Sequence, residues 1–186
     1  MLKFCPNCDS KLYNTSEGFK CKKCDNYNPN EKKVVTKTIS SNDESFPYIK
    51  NEYYVHKEIC KRLGFSVMPG INLNKNLRKI ILFRNAHVLK PNQTNIYLDR
   101  YDSKTGIYYY TGKGLTGNQT LSGDNGFLKN AKEHNFTVHL FWQQNDGSRH
   151  QYVGEVSVED VISEKQPDKG GKIRDVFVFL LKPENS

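Results

Sequence analysis

Four cysteines near the N-terminus carry the clearest chemistry in the sequence. Cys5 and Cys8 are separated by two residues, as are Cys21 and Cys24, with twelve residues between the pairs. Each pair suits a tight turn from which two thiolates converge, and two such turns complete a tetrahedral sulfur site for Zn²⁺. All four ligands come from the protein, so no coordination position is open to a substrate and the expected ion is structural, one per chain. Iron is the alternative occupant of the same four sulfurs. Lys11, Lys20, Lys22 and Lys23 offset the negative charge of the thiolates. The remaining cysteine, Cys60, falls on the apolar face of an expected helix, where a thiol behaves as inert packing.

Other residue types offer less. A nuclease of the PD-(D/E)xK kind needs carboxylates and a lysine to hold Mg²⁺ and activate water. Asp102-Ser103-Lys104 and Glu164-Lys165 are the nearest fragments, and neither follows a suitable partner strand. His134-Asn135 and His139 do not form the ββα arrangement of an HNH site and read as ordinary surface or core groups. The expectation is therefore a binding protein rather than an enzyme, with cleavage, if any, supplied by a partner protein. A modification-dependent endonuclease with an unrecognised site is the alternative, and a zinc-ribbon factor acting on RNA or in transcription is another.

The elements that must position these groups fall into three regions. Residues 1–27 form the expected zinc ribbon. Residues 28–47, polar and rich in Ser, Asn and Lys, read as a linker. Residues 48–186 hold the aromatic and β-branched content of the main domain. The chain has 186 residues, 11 Tyr, 10 Phe and a formal net charge of +8, which together favour a folded core and a polyanionic partner such as nucleic acid. No stretch has the roughly 20 apolar residues of a membrane span, and no leader precedes the cysteines, so a cytoplasmic protein with reduced thiols is expected.

Within the main domain the apolar spacing of Tyr54, Val55, Ile59, Cys60 and Leu63 predicts a helix ending at Gly64. "KIILFRN", "TNIYLDRY", "GIYYYTGKG", "FTVHLFWQQ", "HQYVGEVSVEDV" and "RDVFVFLLKP" predict strands, and "NGFLKNAKEH" a second short helix. The expected class is α+β: a curved sheet or barrel with two or more short helices. In "IYYYTG", a regular strand puts Tyr108 and Tyr110 on one face and Tyr109 on the other, and the pattern does not say which face is core.

The order of motifs from Tyr53 to Val158 resembles that of SRA-like (SET- and RING-associated-like) domains of modification-dependent restriction proteins, which are related to PUA-type barrels. The matching residues are Gly70-Ile71, Ile81-Leu82-Phe83, Tyr97-x-Asp99-Arg100-Tyr101, Tyr109 to Gly114, Gly117-Asn118-Gln119, Asn125 and Val138-His139-Leu140-Phe141. The sequence departs from the family pattern at Arg100, Tyr101 and Asn118, which bear on base preference. The resemblance implies recognition of double-stranded DNA carrying a modified cytosine, methylated or hydroxymethylated, by base flipping, in prokaryotic restriction or phage defence. It implies a modified-base pocket of Tyr97, Asp99, Tyr101, Tyr110 and Thr111, with Asp102 as the alternative carboxylate, and DNA contacts from Lys113, Gly114, Gln119 and Asn125.

Overall fold

The computed structural model describes residues 12–15, 18–21, 46–86, 95–144 and 149–184. A two-stranded antiparallel hairpin, β1 (Leu12–Thr15) and β2 (Gly18–Cys21), stands between the two cysteine pairs and sets Leu12 opposite Cys21. Cys5, Cys8 and Cys24 lie outside the described residues, as do residues 28–45 of the expected linker. Phe46, expected at the linker's end, instead stacks on the ring of His139 with centroids 3.7 Å apart.

The remaining strands form one mixed sheet of eight. They are β3 (Tyr53–Val55), β4 (Gly70–Asn74), β5 (Lys79–Arg84), β6 (Arg100–Asp102), β7 (Ile107–Thr111), β8 (Thr137–Trp142), β9 (Arg149–Pro167) and β10 (Ile173–Pro183). The strand order is β4-β5-β8-β9-β10-β7-β6, with β3 added to β9. β5 and β8 run parallel and the other pairs antiparallel. β9, 19 residues long, carries the sheet round its bend: its first half pairs with β3 and β8, its second with β10. A bulge between Leu140 and Phe141 lies opposite Gly154, whose φ of 119° is open to glycine at little cost.

The apolar runs of β5 and β8 are explained by burial on both faces. Alternation splits each strand between two clusters. Ile80 and Leu82 with Val138, Leu140 and Trp142 join Tyr110, Phe179 and Leu181 in one core. Ile81 and Phe83 with Phe141 join Tyr48, Tyr54 and Ile59 in the other. Residues of β7 and β10 thus pack against β5 and β8, so the sheet curls over its own face. It does not close: β4 and β6 end the strand path unpaired with each other. This corrects the barrel expectation to an open, curved sheet.

Two helices cover it, α1 (His56–Leu63) and α2 (Gly123–Lys129). Gly64 ends α1 at φ 74°, its N–H bonded to the Cys60 carbonyl, as the sequence suggests. Tyr54 and Val55, expected in that helix, are strand instead, because β9 offers their backbone a partner between Arg149 and Gln151. Similarly, "TNIYLDRY" is extended but joins the sheet only from Arg100, and α2 begins at Gly123 rather than Asn125. No helix among the described residues is long and apolar enough to cross a membrane.

Candidate functional site

A cavity of about 320 Å³ opens beside the curled sheet. Pro69 and Gly70 lead into β4, Phe83, Arg84 and Asn85 end β5, and Tyr110 and Thr111 end β7. Tyr97 and Asp99 come from the segment before β6, and Lys113, Gly114 and Leu115 from the loop after β7; all line the cavity. Four residues expected in one pocket, Tyr97, Asp99, Tyr110 and Thr111, are therefore brought together by two separate pieces of chain. Tyr101 is not among the lining residues. It is exposed on β6, where its ring packs against that of Tyr108 with centroids 4.4 Å apart.

Asp99 is the only carboxylate on the cavity wall among the described residues. Burial in apolar surroundings raises its pKa to about 6, offset in part by a hydrogen bond from the Thr111 N–H at 2.7 Å and by the nearby Arg84 and Arg100. Asp102 has a different task. It accepts from the Lys104 N–H at 2.9 Å and the Thr105 hydroxyl at 2.8 Å, closing the exposed β6–β7 turn, and these bonds lower its pKa. Of the two carboxylates, Asp99 lines this cavity and Asp102 does not.

Tyr110 is 2% exposed and belongs to the core as well as to the cavity wall, whereas Tyr97 is only half-buried. Burial raises the Tyr110 hydroxyl well above its ordinary pKa. The Tyr97 hydroxyl donates to the Gly114 carbonyl at 3.2 Å, tying its segment to the loop after β7. Behind the wall, the fully buried Gln166 accepts from the Thr111 hydroxyl at 3.3 Å and the Leu98 N–H at 3.2 Å. Its amide donates to Glu164, which pairs with Arg100 at 2.7 Å. Arg100 lies 4.1 Å over the Tyr109 ring. These bonds fix the backbone on both sides of Asp99.

Residues 51–186 match the family model described as "ScoMcrA-like, SRA domain". The chain belongs to this SRA family. Its fold is also that of solved SRA structures. The type IV phosphorothioation-dependent restriction endonuclease ScoMcrA matches with a TM-score of 0.59 and 16% identity over 75% of this chain and 25% of that one. The sulfur-binding and SRA domains of ScoMcrA, complexed with phosphorothioated DNA, match at 0.54 and 16% over 75% and 40%. The SUVH5 SRA domain with methylated CHH DNA matches at 0.52 and 20% over 76% and 93%. The chain thus spans well under half of the ScoMcrA chains and nearly all of the SUVH5 SRA domain. No curated protein sequence matches it.

In this SRA domain the loop from Gly112 to Gln119 borders the cavity and is built from within. Gln119 and Asn125, expected to touch DNA, are buried at 8% and 5% exposure and hold the loop's backbone instead. Gln119 donates to the Gly112 carbonyl at 2.6 Å and accepts from the Phe177 N–H at 2.9 Å. Asn125 accepts from the Lys113 N–H at 2.8 Å and donates to the Lys113 and Thr120 carbonyls, each at 3.0 Å. Short amides matched to backbone donors and acceptors satisfy a turn that strand pairing cannot reach. Lys113 stays exposed, paired with Asp124 at 2.6 Å, and Gly114 lies at the rim. Arg174, 3% exposed, donates to the Gly114 and Gly117 carbonyls at 2.9 and 3.2 Å. Sequence reading missed Arg84, Gln166 and Arg174. Only Arg84 carried a local signal, a charge ending the apolar run of β5.

Proposed function

We propose that the protein binds double-stranded DNA carrying a modified cytosine, methylated or hydroxymethylated, and takes that base out of the helix into the cavity around Asp99. The observation that carries this reading is the convergence of a carboxylate, two tyrosine rings and Thr111 on one cavity in a chain of the SRA family. Removing a base from the stack costs a few kcal/mol. Stacking on an aromatic ring returns roughly 1–3 kcal/mol per base, so Tyr97 with the Tyr110 wall can offset most of that cost. An ionised Asp99 accepts from the exocyclic amine of cytosine, as carboxylates do in base readout. The +8 net charge supplies non-specific attraction to phosphates. The ScoMcrA domains complexed with phosphorothioated DNA and the SUVH5 SRA domain complexed with methylated DNA support modified DNA as the partner class.

The biological setting that fits is prokaryotic restriction or phage defence, with cleavage supplied by a partner nuclease. The two fragments considered as nuclease parts are otherwise engaged: Asp102 closes a turn, Glu164 pairs with Arg100 and Lys165 with Asp175. Competitive binding of matched duplexes with unmodified, 5-methyl and 5-hydroxymethyl cytosine, and of RNA of the same sequence, tests the reading. Fluorescence of 2-aminopurine beside the target base should rise on binding only the modified duplexes. Equal affinity for all four ligands would refute it.

The N-terminal cysteines are proposed to hold one structural Zn²⁺. What supports this is the spacing of the two Cys-x2-Cys pairs and a β1–β2 hairpin that ends on Cys21. Four thiolates with no other donor fit zinc chemistry.

A further inference from the structure

We infer that Arg84 is a specificity-determining residue of the cavity, donating a hydrogen bond to an oxygen carried on carbon 5 of the captured cytosine. The inference rests on the base-capture reading proposed above and adds the class of modification preferred. Arg84 ends β5 on the cavity wall, half-buried, with its guanidinium 4.8 Å over the Trp142 ring. One of its donors is directed at the Gln143 carbonyl. An arginine has five N–H donors in a planar fork, so among the described residues most of the fork has no hydrogen-bond partner. Among the described residues the sealed, unpartnered side-chain atoms are His150 Nδ1 and Arg174 Nε, and no atom of Arg84. No unpartnered donor of Arg84 is therefore sealed from solvent.

Arg84 and Asp99 act on each other electrostatically without forming an ion pair within 4.0 Å. Their charged atoms therefore lie more than 4.0 Å apart. On cytosine the amine and carbon 5 are neighbouring ring positions. A base whose amine meets Asp99 sends its carbon-5 substituent out beside that carboxylate. Arg84 comes from β5 and Thr111 from β7, so the two flank Asp99 from different strands. The size of the cavity points the same way. At roughly 30 Å³ per water-sized group, about 320 Å³ exceeds the need of a bare pyrimidine packed at interior density. The surplus is lined in part by a cation with free donors. A methyl group would leave those donors without a partner, whereas a hydroxymethyl or formyl oxygen would satisfy one.

The test is a ranking of otherwise identical duplexes with unmodified, 5-methyl, 5-hydroxymethyl and 5-formyl cytosine, measured with the full chain and with Arg84→Met, which keeps an unbranched stem on Trp142. The wild-type protein should bind the two oxygen-bearing duplexes about tenfold or more tighter than the 5-methyl duplex, the size of one hydrogen bond to a charged group. Arg84→Met should bring them down to the 5-methyl level, a loss about tenfold or more beyond any loss shared by all the duplexes. If Arg84→Met weakens every duplex alike, Arg84 contacts phosphate or a ring atom common to all cytosines, and the inference is overturned. If the wild type ranks 5-methyl first, it is overturned without reference to any variant. If no modified duplex is preferred over the unmodified one, the base-capture reading itself fails, and this inference with it.

Discussion

The backbone N–H of Thr111 donates a 2.7 Å hydrogen bond to Oδ1 of Asp99, joining β7 to the segment before β6 at the wall of the cavity. That bond orients the carboxylate at the cavity wall. It also lowers the cost of ionising a group that burial holds at a pKa of about 6.

Asp99 should titrate far from the ordinary aspartate value of about 3.9. Carbon-13 NMR of its carboxyl in the free protein is expected to show a midpoint near 6. Between about 4 and 6 the folded chain holds a proton that the unfolded chain has released. The stability contributed by Asp99 therefore falls as pH rises through that window. Discrimination moves in the opposite direction, since the ionised carboxylate is the acceptor. Affinity for duplex with a modified cytosine over one with another base at the target position should weaken as pH drops below 6, and Asp99→Asn should remove that dependence. A midpoint near 4 would contradict the assignment.

Burial lowers His139 to about 3 and His150 to about 4. Both are 2–4% exposed and remain neutral while an unfolded histidine, near 6.5, takes up a proton. Their contribution to stability is complete above pH 6.5 and is lost as pH falls toward 4. Two histidines oppose one aspartate, so the melting temperature should fall between pH 6.5 and 4. Replacing His139 by Gln is expected to flatten that fall, which differential scanning calorimetry can record.

Tyr97 and Tyr110 should separate binding from folding. Tyr110→Ala removes a buried ring from the core and should cost about 3–5 kcal/mol of stability. Tyr97→Ala, at a half-buried site, should leave melting nearly unchanged and lower affinity for modified duplex by roughly 1–3 kcal/mol, the value of one stacked base. Equal binding by wild type and Tyr97→Ala would remove Tyr97 from the pocket.

Lys113 and Asp124 form an exposed pair at 2.6 Å, so their substitutions should act with opposite sign. Lys113→Ala should weaken modified and unmodified DNA alike and reduce the salt slope by about one. Asp124→Asn should strengthen both by at most about 1 kcal/mol, the scale of an exposed pair. Titrations at two salt concentrations distinguish these outcomes.

Gly112 admits no side chain. A Cβ there would lie 2.8 Å from Gln119 Oε1, 3.0 Å from Asn125 Oδ1 and 3.2 Å from the Phe177 carbonyl. Both amides are held by the loop's own hydrogen bonds, so neither can retreat without leaving a buried partner unpaired, at about 1–3 kcal/mol each. Gly112→Ala should lower the melting temperature and, by moving the loop, the preference for modified DNA. Metal analysis gives a separate check on the N-terminus: about one zinc per chain is expected, lost in Cys21→Ser, with the melting of the SRA domain unaffected.

Local pattern was enough for several features. The short apolar, β-branched runs in "KIILFR" and "TVHLFW" marked two strands, and Gly64 marked a helix end, because strand propensity, helix period and left-handed caps are set by neighbouring residues. The ordered motifs around Tyr97, Asp99, Tyr110 and Thr111 likewise identified the family. The tertiary structure decided what depends on partners distant in sequence. Tyr54 and Val55 became strand because β9 was there to pair with them. Asp99 and Asp102, three residues apart, were separated into cavity wall and turn by the β6–β7 pairing. Gln119 and Asn125 became internal supports because Gly112, Lys113 and Phe177 needed their hydrogen bonds. Arg84 reached the cavity only because the sheet curls β7 over the end of β5. Sequence carries the chemistry of each side chain and its local geometry, while burial and electrostatic environment arise from long-range packing that no local window contains.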